Sequence, residues 1–276
     1  MDLANASALE LIGYAALLLG SGAVAGFLAG LFGIGGGAVI VPVLYEAFGA
    51  IGVDDAVRMH LAVGTSIAVI LPTSLRSFMA HYRRGAVDIE LLRGWVVAVP
   101  VGVIIATVVA ASISGEGLRL IFAVLAAVFA IRFLFAAQLR PVASDLPGQP
   151  ARGLVGIAIG FFSTLMGIGG GTFNNAFMTL FGRSMLQAVA TSAGVGVLIS
   201  LPAVVGYVVA GWGDDALPPV SLGYVNFAAA ALLVVATIVT APIGVRVAHT
   251  VNRRVLEIGF GVFLLVVAVR FALSLG

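Results

Sequence analysis

The groups in this chain best placed to do chemistry are backbone amides. GFLAGLFGIGGG (Gly26–Gly37) and GFFSTLMGIGGG (Gly160–Gly171) are two copies of one pattern, each opening on Gly-Phe and closing on Gly-Ile-Gly-Gly-Gly. A glycine run lets backbone approach a ligand closely. A helix starting just after it leaves its first N–H groups without intrahelical partners and with a partial positive charge behind them. Such an end suits an anion. On this ground the candidate binding positions are Gly35, Gly36, Gly37 and Ala38 in the first copy, and Gly169, Gly170, Gly171 and Thr172 in the second.

Side chains near the two copies add polar atoms. Asn174 and Asn175 fall in the first turn after the second glycine run, where buried amides are costly unless paired. They either brace the break or donate to substrate oxygens. A second echo, Ala62-Val-Gly-Thr65-Ser66 against Ala188-Val-Ala-Thr191-Ser192, supplies hydroxyls. These reach a ligand or bond back to their own helix carbonyls. His60, five residues before Thr65, is either a hydrogen-bonded structural residue or a proton carrier, since its pKa range suits a switch near neutral pH. Arg76 is either a snorkelling charge or an anion attractor at the inner mouth. A third echo, Val99-Pro100-Val-Gly102 against Ala241-Pro242-Ile-Gly244, keeps the same order as the first two, so the chain is internally duplicated.

Several chemistries are absent. No Gly-Lys-Ser/Thr phosphate loop, Gly-x-Ser-x-Gly elbow or His-Glu-x-x-His occurs, and there is no cysteine, so no enzyme, metal or cofactor is expected. Gly33, Gly35 and Ala38 match a dinucleotide fingerprint, but a membrane-length apolar segment precedes them where a short strand is needed. The basic residues are fourteen arginines that follow loop positions, so no nucleic acid partner is expected.

The elements that must hold these groups are membrane helices. The chain is 61% hydrophobic and 9% charged, with a mean hydropathy of +1.18, and apolar stretches recur from end to end. No Lys or Arg precedes Arg58, so no basic region of a signal peptide is present. The block from Ala8 to Leu44 would reach about 55 Å as one helix, nearly twice a ~30 Å hydrocarbon core. The chain must turn back, and Gly33–Gly37 is where it can. The expected segments are then Ala38–Phe48 as a half-helix, Ala56–Ala80, Gly94–Ser112 and Leu118–Gln138. The second half repeats them as Gly153–Met166, Thr172–Phe181, Met185–Ala210, Leu222–Ala241 and Val255–Leu275. Residues 1–138 form repeat one, 139–152 a linker with three prolines, and 153–276 repeat two.

With the N-terminus outside and an odd number of crossings per half, eleven of the fourteen arginines fall on the inner side. The two repeats are then inverted; an even number would make them parallel and place Asp214-Asp215 and the Arg246–Arg254 cluster less comfortably. The fold expected is an all-α polytopic membrane protein of two inverted repeats, each with a glycine-rich broken helix. Such a build belongs to secondary transporters, with a small anion as substrate and the lipid bilayer as surroundings.

The doubled glycine motif, the Thr-Ser echo, the Arg84-Gly85-Ala-Val-Asp88 turn and Ala241-Pro242-Ile-Gly244 together resemble the sulfite exporter TauE/SafE family over nearly the whole chain. The resemblance implies an inner-membrane carrier of prokaryotic type that exports sulfite or a small organosulfonate such as sulfoacetate. A passive anion channel and a partner-dependent membrane subunit or intramembrane enzyme are the alternatives. One departure from the pattern is plain. The first repeat follows its glycines with Val41-Pro42-Val, and the second has Asn174-Asn175-Ala176.

Overall fold

A bilayer offers backbone amides no water, so a chain this apolar has to close its hydrogen bonds within helices. The computed structural model describes residues 8–32, 37–135, 142–143, 145–248 and 250–274. In chain order its elements are α1 (Ala8–Phe32), α2 (Gly37–Ala50), α3 (Asp55–Arg83), α4 (Ile89–Trp95), α5 (Ala98–Ser112) and α6 (Gly115–Phe135). The second half has α7 (Ala151–Leu165), α8 (Gly171–Leu180), α9 (Met185–Ala210), strands β1 (Ser221–Leu222) and β2 (Val225–Asn226), α10 (Phe227–Ala248) and α11 (Arg253–Leu273). Among the described residues six helices, α1, α3, α6, α9, α10 and α11, are long and apolar enough to span a membrane; α4 with α5, bent 46° at their junction, make a seventh. The chain is a multi-pass helical membrane protein. Large apolar side chains such as Val97, Val108, Val235 and Val266 stand exposed along these helices, as a lipid-facing surface requires.

The segments agree with the hydropathy pattern in number and place, with local differences. The third apolar segment begins earlier than Gly94, because Asp88 accepts from the Leu91 amide and starts α4. The segment expected from Leu222 begins instead at Phe227, since Gly223, at φ +53°, turns a short hairpin against the Val208 backbone. Asn226 then accepts from the Ala229 amide. That helix also runs past Pro242 to Ala248, a proline that helical neighbours make tolerable in a membrane.

Helices of matching sequence position run antiparallel. On α3 and α9, Gly64 lies by Tyr207 and Ser74 by Gly196, while Phe78 reaches Gly194. On α6 and α11, Phe122 packs on Phe271 and Phe133 on Phe260. Around these two central pairs, α1 lies along α10 and α7 along α5. Both outer pairs are held close by glycine. A Cβ on Gly26 would sit 2.7 Å from the Thr237 Cα, and one on Gly156 2.7 Å from the Trp95 ring. A Cβ on Gly102 or on Gly244 would collide with a backbone carbonyl oxygen of the facing helix, Ile157 or Phe27. Small residues that let backbones approach are how membrane helices associate.

These contacts set a measurable expectation. Gly102→Val and Gly244→Val each force a helix pair apart. Each variant should melt well below the wild type in detergent, by the several degrees that ~1–3 kcal/mol of overpacking produces. Unchanged melting in either would mean that the pair is not close-packed.

Candidate functional site

The start of α2 and the second glycine break meet inside the protein. A Cβ on Gly37 would sit 2.6 Å from the Ile168 Cα and closer still to the Gly167 carbonyl oxygen. Gly37, Ala38, Gly167 and Ile168 are all buried. The second break keeps its shape because Gly167 and Gly170 have φ of +63° and +73°, a region glycine enters without strain. Its amides close on the preceding helix, Gly167 N–H to the Thr164 carbonyl and Ile168 N–H to that of Ser163. Ser66 on α3 donates to the Gly167 carbonyl at 2.9 Å, so a side chain of repeat one ties down the break of repeat two. Ile70 on α3 and Ile199 on α9 flank Gly169 and Gly170. Gly35 and Gly36 lie outside the described residues.

α8 begins directly after this break, with left-handed Gly170 as its N-cap and no side chain capping it. Its first amides therefore have no intrahelical acceptor. Thr172 is buried there, and its hydroxyl has no partner. A polar relay follows: Asn174 Nδ2 donates to Ser192 Oγ at 2.7 Å, and Ser192 donates to Asn175 Oδ1 at 2.7 Å. Asn174 Oδ1 stays unpartnered, as do the buried hydroxyls of Ser163 and Ser200. Ser163 lends its carbonyl to the break, and Ser200 adjoins the Ile199 that touches Gly170. Buried polar atoms are nearly always paired, so the orphaned Thr172 hydroxyl and Asn174 Oδ1 in the first turn of α8 mark a place where a ligand's polar atoms would be satisfied. Ser163 and Ser200 escaped the sequence reading. Ser163 falls opposite Ala29 in the other repeat and has no echo there, whereas Ser200 follows Ser192 at the spacing by which Ser74 follows Ser66.

Thr65 and Thr191 sit elsewhere in this frame, and symmetrically. Thr65 accepts the Asn226 backbone N–H at 3.0 Å; Thr191 accepts that of Asp88 at 2.9 Å. Asp88 and Asn226 each cap the helix they precede, and each follows a left-handed glycine in Gly-Ala-Val-Asp or Gly-Tyr-Val-Asn. This is a fourth echo of the duplication, legible once Asp and Asn are read as equivalent caps. The two hydroxyls clasp each repeat to a helix start of the other.

His60 faces away from the breaks. Its Nε2 donates to the Ala110 carbonyl at 2.9 Å, its Nδ1 is buried without a partner, and its ring stacks on Tyr224. Tyr224 in turn donates to Asp214. Burial first, and then the neighbouring Asp214 carboxylate, push the Tyr224 phenol above its ordinary range. Arg76 is exposed on the far part of α3. Arg119, near the start of α6, is 3% exposed and bound to Asp55 and to the Tyr45 hydroxyl. It pins the end of α2 to α3 and α6. Among the described residues no group of His, Cys, Asp and Glu is arranged to hold a metal.

The site thus joins two helix starts in a multi-pass membrane protein, and the polar groups around it are neutral. The sulfite exporter TauE/SafE family model matches residues 18–271. The chain belongs to that family. A probable membrane transporter protein of Haemophilus influenzae is 33% identical over 92% of this chain and 96% of its own length. Another, of Methanocaldococcus jannaschii, is 26% identical over 88% and 89%. No solved structure matches. Among its described residues this TauE/SafE chain is almost wholly helix of membrane-spanning character, with no separate soluble domain.

The clasps generate a prediction. Thr65→Val and Thr191→Val keep shape but strand a backbone N–H, a cost of about 1–3 kcal/mol each. Both should lower the melting temperature, and Thr→Ser at either place should restore it. A valine variant as stable as the wild type would remove the clasp from this account.

Proposed function

We propose that this TauE/SafE protein is a secondary transporter that exports a small sulfur-containing anion, sulfite or an organosulfonate, by alternating access across an inner membrane, its N-terminus outside. The observation that carries the reading is the contact between the Gly37 start of α2 and the Gly167–Ile168 break, beside the uncapped start of α8. Antiparallel packing of α3 with α9 and of α6 with α11 supports an inverted relation of the repeats. In that arrangement one site at the repeat interface can be reached from either side in turn.

The binding chemistry follows from what lines the place. The amides after Gly36 and Gly170, the Thr172 hydroxyl and the Asn175 amide group act as donors to the anion's oxygens. The dipoles of α2 and α8 provide the positive field, because the buried guanidinium of Arg119 is already committed to Asp55. Each amide-to-oxyanion bond is worth ~1.5–3 kcal/mol, so a few replace one arginine. Asn174 Oδ1 is an acceptor, which suits an anion that still carries a proton, such as bisulfite. Ser66, Thr65, Thr191 and Ser192 hold this shell in place.

Purified protein in proteoliposomes should show saturable counterflow of sulfite. Gly37→Val drives a branched side chain into the second break and should abolish binding, while the protein still reaches the membrane. Thr172→Val should weaken affinity roughly tenfold, the loss of one hydrogen bond. Sulfite bound equally well by both variants would move the site elsewhere. A current that does not saturate and shows no counterflow would favour a channel.

His60 carries the coupling proton in this reading, through Tyr224 and Asp214 to the outer side. Wild-type transport should change between pH 6 and pH 8, and His60→Ala should flatten that change more than it weakens binding. A pH profile unaltered by the substitution would leave His60 as a packing residue.

A further inference from the structure

The two repeats hold their first helices at different heights. By sequence, Gly26-Phe27 of α1 corresponds to Gly160-Phe161 of α7, and Ala241-Pro242-Ile-Gly244 of α10 to Val99-Pro100-Val-Gly102 of α5. In repeat two, Gly160 faces the Val99 carbonyl. Its counterpart Gly26 should face Ala241, yet that carbonyl is faced by Gly30. Two further contacts agree. Gly156 faces Trp95 and Ala98, whereas the matching Thr237 and Thr240 are faced by Gly26 and not by Gly22. Gly102 faces the Ile157 carbonyl and the Phe161 amide, whereas Gly244 faces the Phe27 carbonyl and the Leu31 amide. All three comparisons differ by four residues in the same sense, about one helical turn or roughly 5.4 Å.

We propose that these are the two registers of one sliding interface, and that transport exchanges them: α1 slips a turn along α10 to the register α7 now holds on α5, as α7 takes the one α1 holds now. The proposal rests on the carrier reading. The track exists in the sequence. Gly22, Gly26 and Gly30 stand one turn apart on α1, so glycine meets α10 in either register, and Gly30 lies against Ala241 only in the present one. The frame exists as well, because the Thr65–Asn226 and Thr191–Asp88 clasps fix α10 and α4 to α3 and α9 and leave α1 and α7 outside them. Each sliding helix leads into one glycine break, and because α1 and α7 run antiparallel in the inverted arrangement, the opposite register changes carry both breaks toward the same face of the membrane. Close-packed helices have discrete registers, and a one-turn ratchet is a known form of such a step.

Paired cysteines in this cysteine-free chain test it. Gly22→Cys with Ala236→Cys joins α1 to α10 in the present register, since their Cβ positions are 2.9 Å apart. Gly22→Cys with Thr240→Cys can close only after the slip, and Gly22→Cys with Gly244→Cys in neither. We expect the first two pairs to form disulfides under mild oxidation, each stopping sulfite counterflow until reduced, and the third not to form. Gly30→Ala, which collides with the Ala241 carbonyl, should speed closure of the 22/240 pair several-fold. If the substituted α1 fails to fold, Gly156→Cys with Ala98→Cys and Gly160→Cys with Ala98→Cys put the same question to α7 and α5. Closure of the present-register pair alone, with 22/240 no faster than the control pair, overturns the slip while counterflow keeps the carrier reading. Absence of counterflow in the unmodified protein overturns the carrier reading, and the cross-links still decide whether the helices slide.

Discussion

A helix that stops inside a membrane leaves backbone groups that hydrocarbon cannot satisfy, and this constraint governs the rest of the molecule. Here the second break is closed by its own turn, by the Ser66 hydroxyl, and by the start of α2 pressed against Gly167 and Ile168. Everything else serves that meeting. The antiparallel α3 and α9 form its walls, and the Thr65 and Thr191 clasps tie each repeat to the other. The Arg119–Asp55–Tyr45 group anchors the far end of α2. In the proposed reading, what the backbone leaves unsatisfied at the start of α8, together with the Thr172 hydroxyl, is what a small oxyanion takes up.

Neutral recognition has a consequence for transport. A buried arginine would hold an anion through a full charge and release it slowly, and it would be costly to expose whenever the site emptied. Helix ends and hydroxyls bind more weakly and need no counter-ion when vacant. A carrier that must release its cargo on the far side benefits from that balance. By sequence Asn174–Asn175 stand opposite Ile40–Val41 of repeat one, so in the proposed site the polar side chains come mainly from repeat two.

The fold was largely legible in the sequence, because helix length and apolarity are set by the thickness of the bilayer. The glycine runs, too, mark where a segment too long for one span must break. The start of α10 was not legible, since its hairpin depends on Gly223 lying against the distant Val208 backbone. The burial of Arg119 was not legible for a similar reason: its partners Tyr45 and Asp55 are far away in the chain. For the candidate site, the glycines and asparagines announce themselves by position, whereas Thr65 and Thr191 look like donors until their cross-repeat partners are seen. Ser163 carries no signal beyond being a hydroxyl in an apolar helix, whereas Ser200 keeps the register of Ser74 in the other repeat.

The measurement that bears most directly on the account is the reactivity of a single cysteine placed at Thr172. If the meeting of the breaks is the transport site, an impermeant thiol reagent should reach that cysteine from either face of a vesicle, and sulfite should protect it from both. Reaction from one face only, or reaction indifferent to sulfite, would contradict an alternating anion site at this position.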